Sequence, residues 1–206
     1  MTYHWPQIVD NLQNYKAALH YQVVRWMKPP EGWVACNTDG ASKGNPVRSA
    51  YGYCIRDKNR DLIYAEAQSI GETTNMEAEV TAAWKTLQFC VQSGLRQVKL
   101  ETDSLALKNM ISGSWRIPWE IVEKVEDIQE IMQQINVQVW NVFTEANQLA
   151  DVIANTAINT EHKLVFQYFH QLPSLGKRIL NIDKQEVPSV GIKTRRIYNN
   201  KNYQHA

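Results

Sequence analysis

The chain has 206 residues and no apolar run of the ~18 residues that a membrane-spanning helix needs. Its first residues, MTYHWPQIVDNLQ, lack the basic-then-apolar layout of a secretory signal, so a nuclear or cytoplasmic setting is expected. Cysteine is scarce: Cys36, Cys54 and Cys90 are far apart, odd in number and without a CxxC pair. That argues against structural zinc and against a disulfide framework, and the three are expected to be small buried residues. His162, His170 and His205 have no metal-ligand spacing with an acid, which leaves them surface or packing roles. No internal repeat is visible, and the length suits one domain with a sizeable core plus appendages.

Net charge is also nearly absent, at +1, but it is unevenly spread. Basic residues outnumber acidic ones three to one over residues 1–30 and eight to three over 160–206, whereas 31–159 carries eleven basic against seventeen acidic residues. An acidic body binds nucleic acid poorly by bulk electrostatics, so phosphate binding there needs metal ions or local donors. The basic tail, including KTRR at 193–196, is either a nucleic-acid contact, a localisation signal or simply solvated.

What is present is a β-β-β-α-β-α-α-β-α pattern between two appendages. Residues 6–27 place Ile8, Leu12, Tyr15 and Leu19 at helical spacing, and KPPEG then breaks the helix, so 1–30 reads as an N-terminal helix and linker. Strands are expected at 33–38, 49–57 and 61–70, the last two joined by a short turn at Lys58-Asn59-Arg60. A helix follows over 73–94, with Thr74 or Asn75 as its cap and Gly94 as its end. A strand at 95–102, a short helix at 103–113, an amphipathic helix after Pro118, a strand at 135–142 and an Ala-rich helix at 145–159 complete the body. Three meander strands followed by alternating units imply an α/β fold with one mixed sheet and helices on its faces. The body is 31–159, and 160–206 is a basic C-terminal extension expected to be partly mobile, although LVFQYFHQLPSLGKRILNI within it is apolar enough to dock and the mobile part is expected in KTRRIYNNKNYQHA.

Four acids fall at matching ends of these elements. Asp39 ends the first body strand, Glu79 sits one turn inside the long helix, Asp103 follows the fourth strand, and Asp151 lies in the last helix. In open sheets functional groups collect at strand ends, so the four can converge. Crowded carboxylates repel and raise one another's pKa, a penalty that divalent cations remove. Hard oxygen donors suit Mg²⁺, and two ions about 4 Å apart can activate a water and stabilise the leaving oxygen in displacement at phosphorus. Each acid also has a plain structural reading. Asp39-Gly40 is a common turn pair, Asp103-Ser104 an ordinary helix cap, and Glu79 and Asp151 can be solvated helix residues. Glu77 and Glu101 are close enough to be mistaken for site members, and spacing alone leaves both readings open.

The blocks NTDGASKGNP, TTNMEAEVTAA, LETDSLALKNMISG and FTEANQLADVIA, in that order over about 31–159, resemble type I ribonuclease H. They are most similar to the domains that follow a reverse transcriptase in plant non-LTR retroelements. The resemblance implies a ribonuclease H-like fold, a five-stranded sheet in order 3-2-1-4-5, and cleavage of the RNA strand of an RNA–DNA hybrid with two Mg²⁺ ions, Mn²⁺ able to substitute. It implies catalytic, metal-holding roles for Asp39, Glu79, Asp103 and Asp151, with Asp39 bridging both ions. Glu79 rather than Glu77 matches the motif. Substrate contacts are implied for Gly40, Ser42, Asn45, Thr74, Asn75 and Asn141, and Glu79 would lie near the 2′-hydroxyl that marks RNA. A monomer is expected, with an RNA–DNA hybrid as partner, no membrane, and a reverse transcriptase in the parent polyprotein.

Three positions depart from the family's pattern. Asn141 stands ten residues before Asp151, where a His is usual, and Asn cannot change charge near neutral pH, so slower turnover is expected. Met76 replaces a second Asn, and Glu72 stands where some members place a phosphate-binding Arg. The stretch GSWRIPWE has only Arg116 where others carry a basic protruding helix, so weak hybrid affinity is expected. Trp115 and Trp119 there either stack on bases or, as expected here, pack around Pro118. A non-catalytic binding or scaffold module is the alternative function, and a related nuclease for double-stranded RNA or DNA a further one.

Overall fold

The computed structural model describes residues 17–43 and 47–196, with side chains over 21–43 and 48–191. The long hairpin strands open the central sheet. β2 (Val34–Ser42), β3 (Val47–Arg56) and β4 (Leu62–Thr73) form an antiparallel meander. Helix α1 (Asn75–Gln92) then crosses one face, capped by Thr74, whose Oγ1 accepts from the Glu77 N–H at 3.1 Å. β5 (Gln97–Thr102) returns to pair in parallel with β2, a connection that needs such a crossover. Helices α2 (Leu105–Ile111) and α3 (Val122–Gln134) lead to β6 (Asn136–Asn141), and α4 (Gln148–Ala157) covers the other face.

Five strands of the sheet run β6-β5-β2-β3-β4, the expected order, and β7 (Leu164–Phe166) adds a sixth strand beside β4. Alternation along β2 and β3 divides the core in two. Val34, Cys36, Tyr51, Tyr53 and Ile55 pack with α1, α2 and α3, while Ala41, Ala50 and Cys54 pack with α4 and with α5 (Ser174–Lys184). All three cysteines are free and buried, as expected.

One expectation fails outside the central sheet. Residues 17–24 are not helical: they form strand β1 (Ala17–Val24), which pairs antiparallel with β8 (Ser189–Arg196) in a separate two-stranded sheet. Along this strand Tyr21 and Val23 are exposed and Val24 is buried, and the partner strand lies too far along the chain to be read locally. Beyond residue 159, β7 extends the sheet, and Phe166, Leu172, Ile179 and Leu180 join the α4 core. Ile8, Leu12, Tyr15, Asn45 and His205 lie outside the described residues. Among the described residues, no helix is long and apolar enough to cross a membrane.

Candidate active site

The β2–β5 ladder stops at Asn37↔Glu101, whereas β2 continues against β3 to Ser42. Asp39 is therefore inside a strand, paired with Gly52, and not at its end as expected. It nevertheless lies beyond the point where β5 leaves β2, so the sheet opens there on one side. Asp103 follows the last residue of β5 at the same opening.

Two glycines let the flanking helices close on this point. A Cβ at Gly40 would fall 2.7 Å from the Ala78 carbonyl carbon and closer still to the Glu79 nitrogen. A Cβ at Gly52 would fall 2.6 Å from the Ala154 Cα, with the Ala154 nitrogen nearer. Bare backbone on β2 and β3 thus admits α1 from one face and α4 from the other, and these helices carry Glu79 and Asp151.

Carboxylate oxygens of Asp39, Glu79 and Asp103 all lie within 4.8 Å of one another. Asp151 is not in that trio, but its charge acts on Asp39. Burial first, then Asp103 and Asp151, push the Asp39 carboxyl up to about 8, against a lowering hydrogen bond from the Gly40 backbone. Burial first, then Asp39 and Asp103, push Glu79 up to about 9. Glu79 Oε2 is buried with no hydrogen-bond partner among the described residues. A buried oxygen left in that state beside two other carboxylates suits a hard cation. The trio can hold a divalent metal ion.

The neighbouring acids differ in one physical respect. Glu77 is ion-paired with Lys124 at 2.8 Å and receives the Thr73 hydroxyl, and the Lys124 hydrogen bond leads in drawing its carboxyl below the ordinary range. Glu101 is buried against Lys99 and the Trp26 indole. No Lys or Arg pairs with Asp39, Glu79, Asp103 or Asp151 among the described residues. The plain readings of two site acids also give way: Ser104, not Asp103, caps α2, and Asp39-Gly40 forms strand rather than turn.

The other candidates are dispersed around this centre. Gly40 and Ser42 continue β2, with Ser42 Oγ accepting from Ser49 at 3.2 Å. The Thr74 hydroxyl is engaged as the α1 cap, and Asn75 is exposed at the first turn. Asn141 ends β6 and donates to the Thr102 carbonyl at 3.2 Å, next to Asp103. Trp115 and Trp119, on the connector that runs over the surface, are 53% and 82% exposed.

Sequence reasoning missed the groups that steer the acids. Thr144 Oγ1 donates to Asp103 Oδ2 at 2.8 Å, and Asn147 Nδ2 to Asp103 Oδ1 at 3.3 Å. Asn155 Nδ2 donates to Asp151 Oδ1 at 2.7 Å. Asn147 precedes α4 and reads as a helix cap, yet it makes no side-chain cap bond, and only its tertiary partners reveal the difference.

Residues 37–157 match the family described as "Reverse transcriptase-like". An Arabidopsis thaliana protein with a provisional ribonuclease H name is 31% identical over 166 residues, covering 79% of this chain and 26% of that protein. The chain thus spans about a quarter of that relative's length. Among solved structures, the N-terminal ribonuclease H domain of a Mycobacterium tuberculosis protein superposes with a TM-score of 0.59 at 25% identity, covering 62% of this chain and 99% of that one. LC11 ribonuclease H1, solved in complex with an RNA/DNA hybrid, gives 0.58 at 26% identity and covers 61% and 96%. With this sheet order, this acidic trio and this match over 37–157, the chain belongs to the reverse transcriptase-like family and has the type 1 ribonuclease H fold.

Proposed function

We propose that the chain is an endoribonuclease that cuts the RNA strand of RNA–DNA hybrids with two Mg²⁺ ions, Mn²⁺ able to substitute. The observation that carries this reading is the trio Asp39, Glu79 and Asp103, its first two members buried, which has no Lys or Arg partner among the described residues and sits against Asp151. The hybrid bound to LC11 ribonuclease H1 supports the substrate class.

Glu79 and Asp103 would hold one ion and Asp151 the other, with Asp39 shared between them. When bound, the ions would lower the pKa of an attacking water and stabilise the leaving oxygen. The chain's own groups orient and select. Thr144 and Asn147 fix the Asp103 carboxylate, and Asn155 fixes that of Asp151. Gly40 and Ser42, together with Asn45, would line the hybrid beyond Asp39. Thr74 and Asn75 offer donors at the α1 N-terminus, and Glu79 would sit near the 2′-hydroxyl that distinguishes RNA from DNA. Asn141, bonded to Thr102, supplies no group that titrates near neutrality, so turnover is expected to be slow. We also place the domain in a retroelement polyprotein, where a tethered reverse transcriptase would raise the local concentration of hybrid. The family description supports this origin.

Asn141 also favours a second reading, a binding module that holds hybrid without cutting it. Incubating the protein with a hybrid labelled on its RNA strand, in Mg²⁺, Mn²⁺ or EDTA, tests both. Metal-dependent shortening of the RNA strand supports the enzyme, and metal-dependent binding without product supports the module. Parallel double-stranded RNA and DNA substrates decide the substrate class.

A further inference from the structure

A buried chain of hydrogen bonds connects Asp103 to side chains on both sides of the family-matched stretch 37–157. Asn147 is 1% exposed, and its Nδ2 donates both to Asp103 Oδ1 at 3.3 Å and to the Thr38 carbonyl at 2.9 Å. One nitrogen thus ties β2 to the end of β5 beyond the last rung of their ladder. Reversed, the amide would present oxygen to two acceptors, so its orientation matters.

That orientation is set by a second amide. Asn37, fully buried, donates from Nδ2 to Asn147 Oδ1 at 3.1 Å and to Glu101 Oε2 at 3.0 Å. Asn37 Oδ1 accepts from Trp26 Nε1 at 3.0 Å and from Arg56 Nη2 at 2.7 Å. Two obligate donors therefore hold the Asn37 oxygen on their side and direct its nitrogen toward Asn147. Trp26 Nε1 also donates to Glu101 Oε2 at 2.8 Å, and its ring lies 3.5 Å from the Arg56 guanidinium. Asp183, on α5, pairs with Arg56 Nη1 at 2.6 Å. Buried charges of this kind are weak sources of stability, and fixing one arrangement is their better-attested use.

We propose that Trp26 and Asp183 are positioning residues: acting through Arg56 and the paired amides of Asn37 and Asn147, they keep an N–H aimed at Asp103. Segments outside the matched stretch thereby shape the metal-holding site. The inference rests on the reading of that site as a metal centre.

The test is Mn²⁺ affinity of the full chain, measured by calorimetry without nucleic acid, for wild type, Trp26→Phe, Asp183→Asn, Asn147→Ala and the Trp26→Phe/Asn147→Ala double variant. Phe retains the ring over Arg56 and removes the donor. Outer partners of metal ligands affect affinity by about 10- to 100-fold, so roughly fivefold weakening is expected from the more distant Trp26. Asp183→Asn should weaken binding in the same direction, and it decides the matter if Trp26→Phe does not fold by circular dichroism. The double variant should bind as Asn147→Ala does, because Trp26 acts through that amide. Unchanged affinity in both Trp26→Phe and Asp183→Asn, or fully additive losses in the double variant, overturns the proposal. Absence of Mn²⁺ binding by wild type would instead remove the metal-centre reading on which it rests.

Discussion

At Asp39 a carboxyl group sits 8% exposed between two like-charged neighbours, and Glu79 is 7% exposed. Their folded pKa values, about 8 and about 9, lie above the ordinary carboxyl range, so the native state holds more protons than the unfolded chain over the interval between. Their stabilising contribution is complete below about pH 4 and is lost as pH rises through 8 to 9. In EDTA, the free energy of unfolding should fall across that window by at most about 1.4 kcal/mol per pH unit for each group, read as a falling thermal midpoint. Asp39→Asn should flatten the decline, and Mg²⁺ should restore stability most at high pH. A chelated protein whose midpoint rises from pH 5 to 9 would contradict this assignment. The four acids were readable in the sequence because their residue types recur in recognisable blocks. Asn147 and Trp26 were not, since an Asn before a helix suggests a cap and a Trp near a linker suggests packing.

At the scale of elements, the site depends on how closely two helices approach bare strand backbone. Gly40→Ala places a methyl against the Glu79 nitrogen and the Ala78 carbonyl carbon, none of which can swing aside as a side-chain tip would. The expected cost is about 1–3 kcal/mol, read as a lower urea midpoint, together with weaker metal binding as Glu79 withdraws. Gly52→Ala should act likewise through Ala154 and displace Asp151. Unchanged stability and affinity in both variants would mean that the helices do not depend on these approaches. The meander, α1 and the alternation after it were readable from local periodicity and turn residues. β1 was not: AALHYQVV supports either period, and its partner β8 lies at the far end of the described chain. β7 is three residues long, too short to carry a pattern.

For the molecule as a whole, the buried core and its polar network draw on segments on both sides of the stretch 31–159. Trp26 and Asp183 reach the buried network, and Phe166, Leu172, Ile179 and Leu180 pack with Leu149, Ile153 and Ala157. A fragment limited to 31–159 would uncover these apolar side chains, at about 1.5–3 kcal/mol for each large one. It should show a thermal midpoint well below that of the full chain and bind a hydrophobic dye. A fragment as stable as the whole would show the flanks to be dispensable. The order of the central sheet was accessible because family resemblance supplied topology, which periodicity alone cannot. The central claim, that distant segments gather acids into a metal-dependent cutting site, is tested most directly by comparing wild type with Asp39→Asn on a hybrid labelled in its RNA strand, in Mg²⁺. Wild type should cleave the RNA and the folded variant should not; equal cleavage by both would contradict the claim.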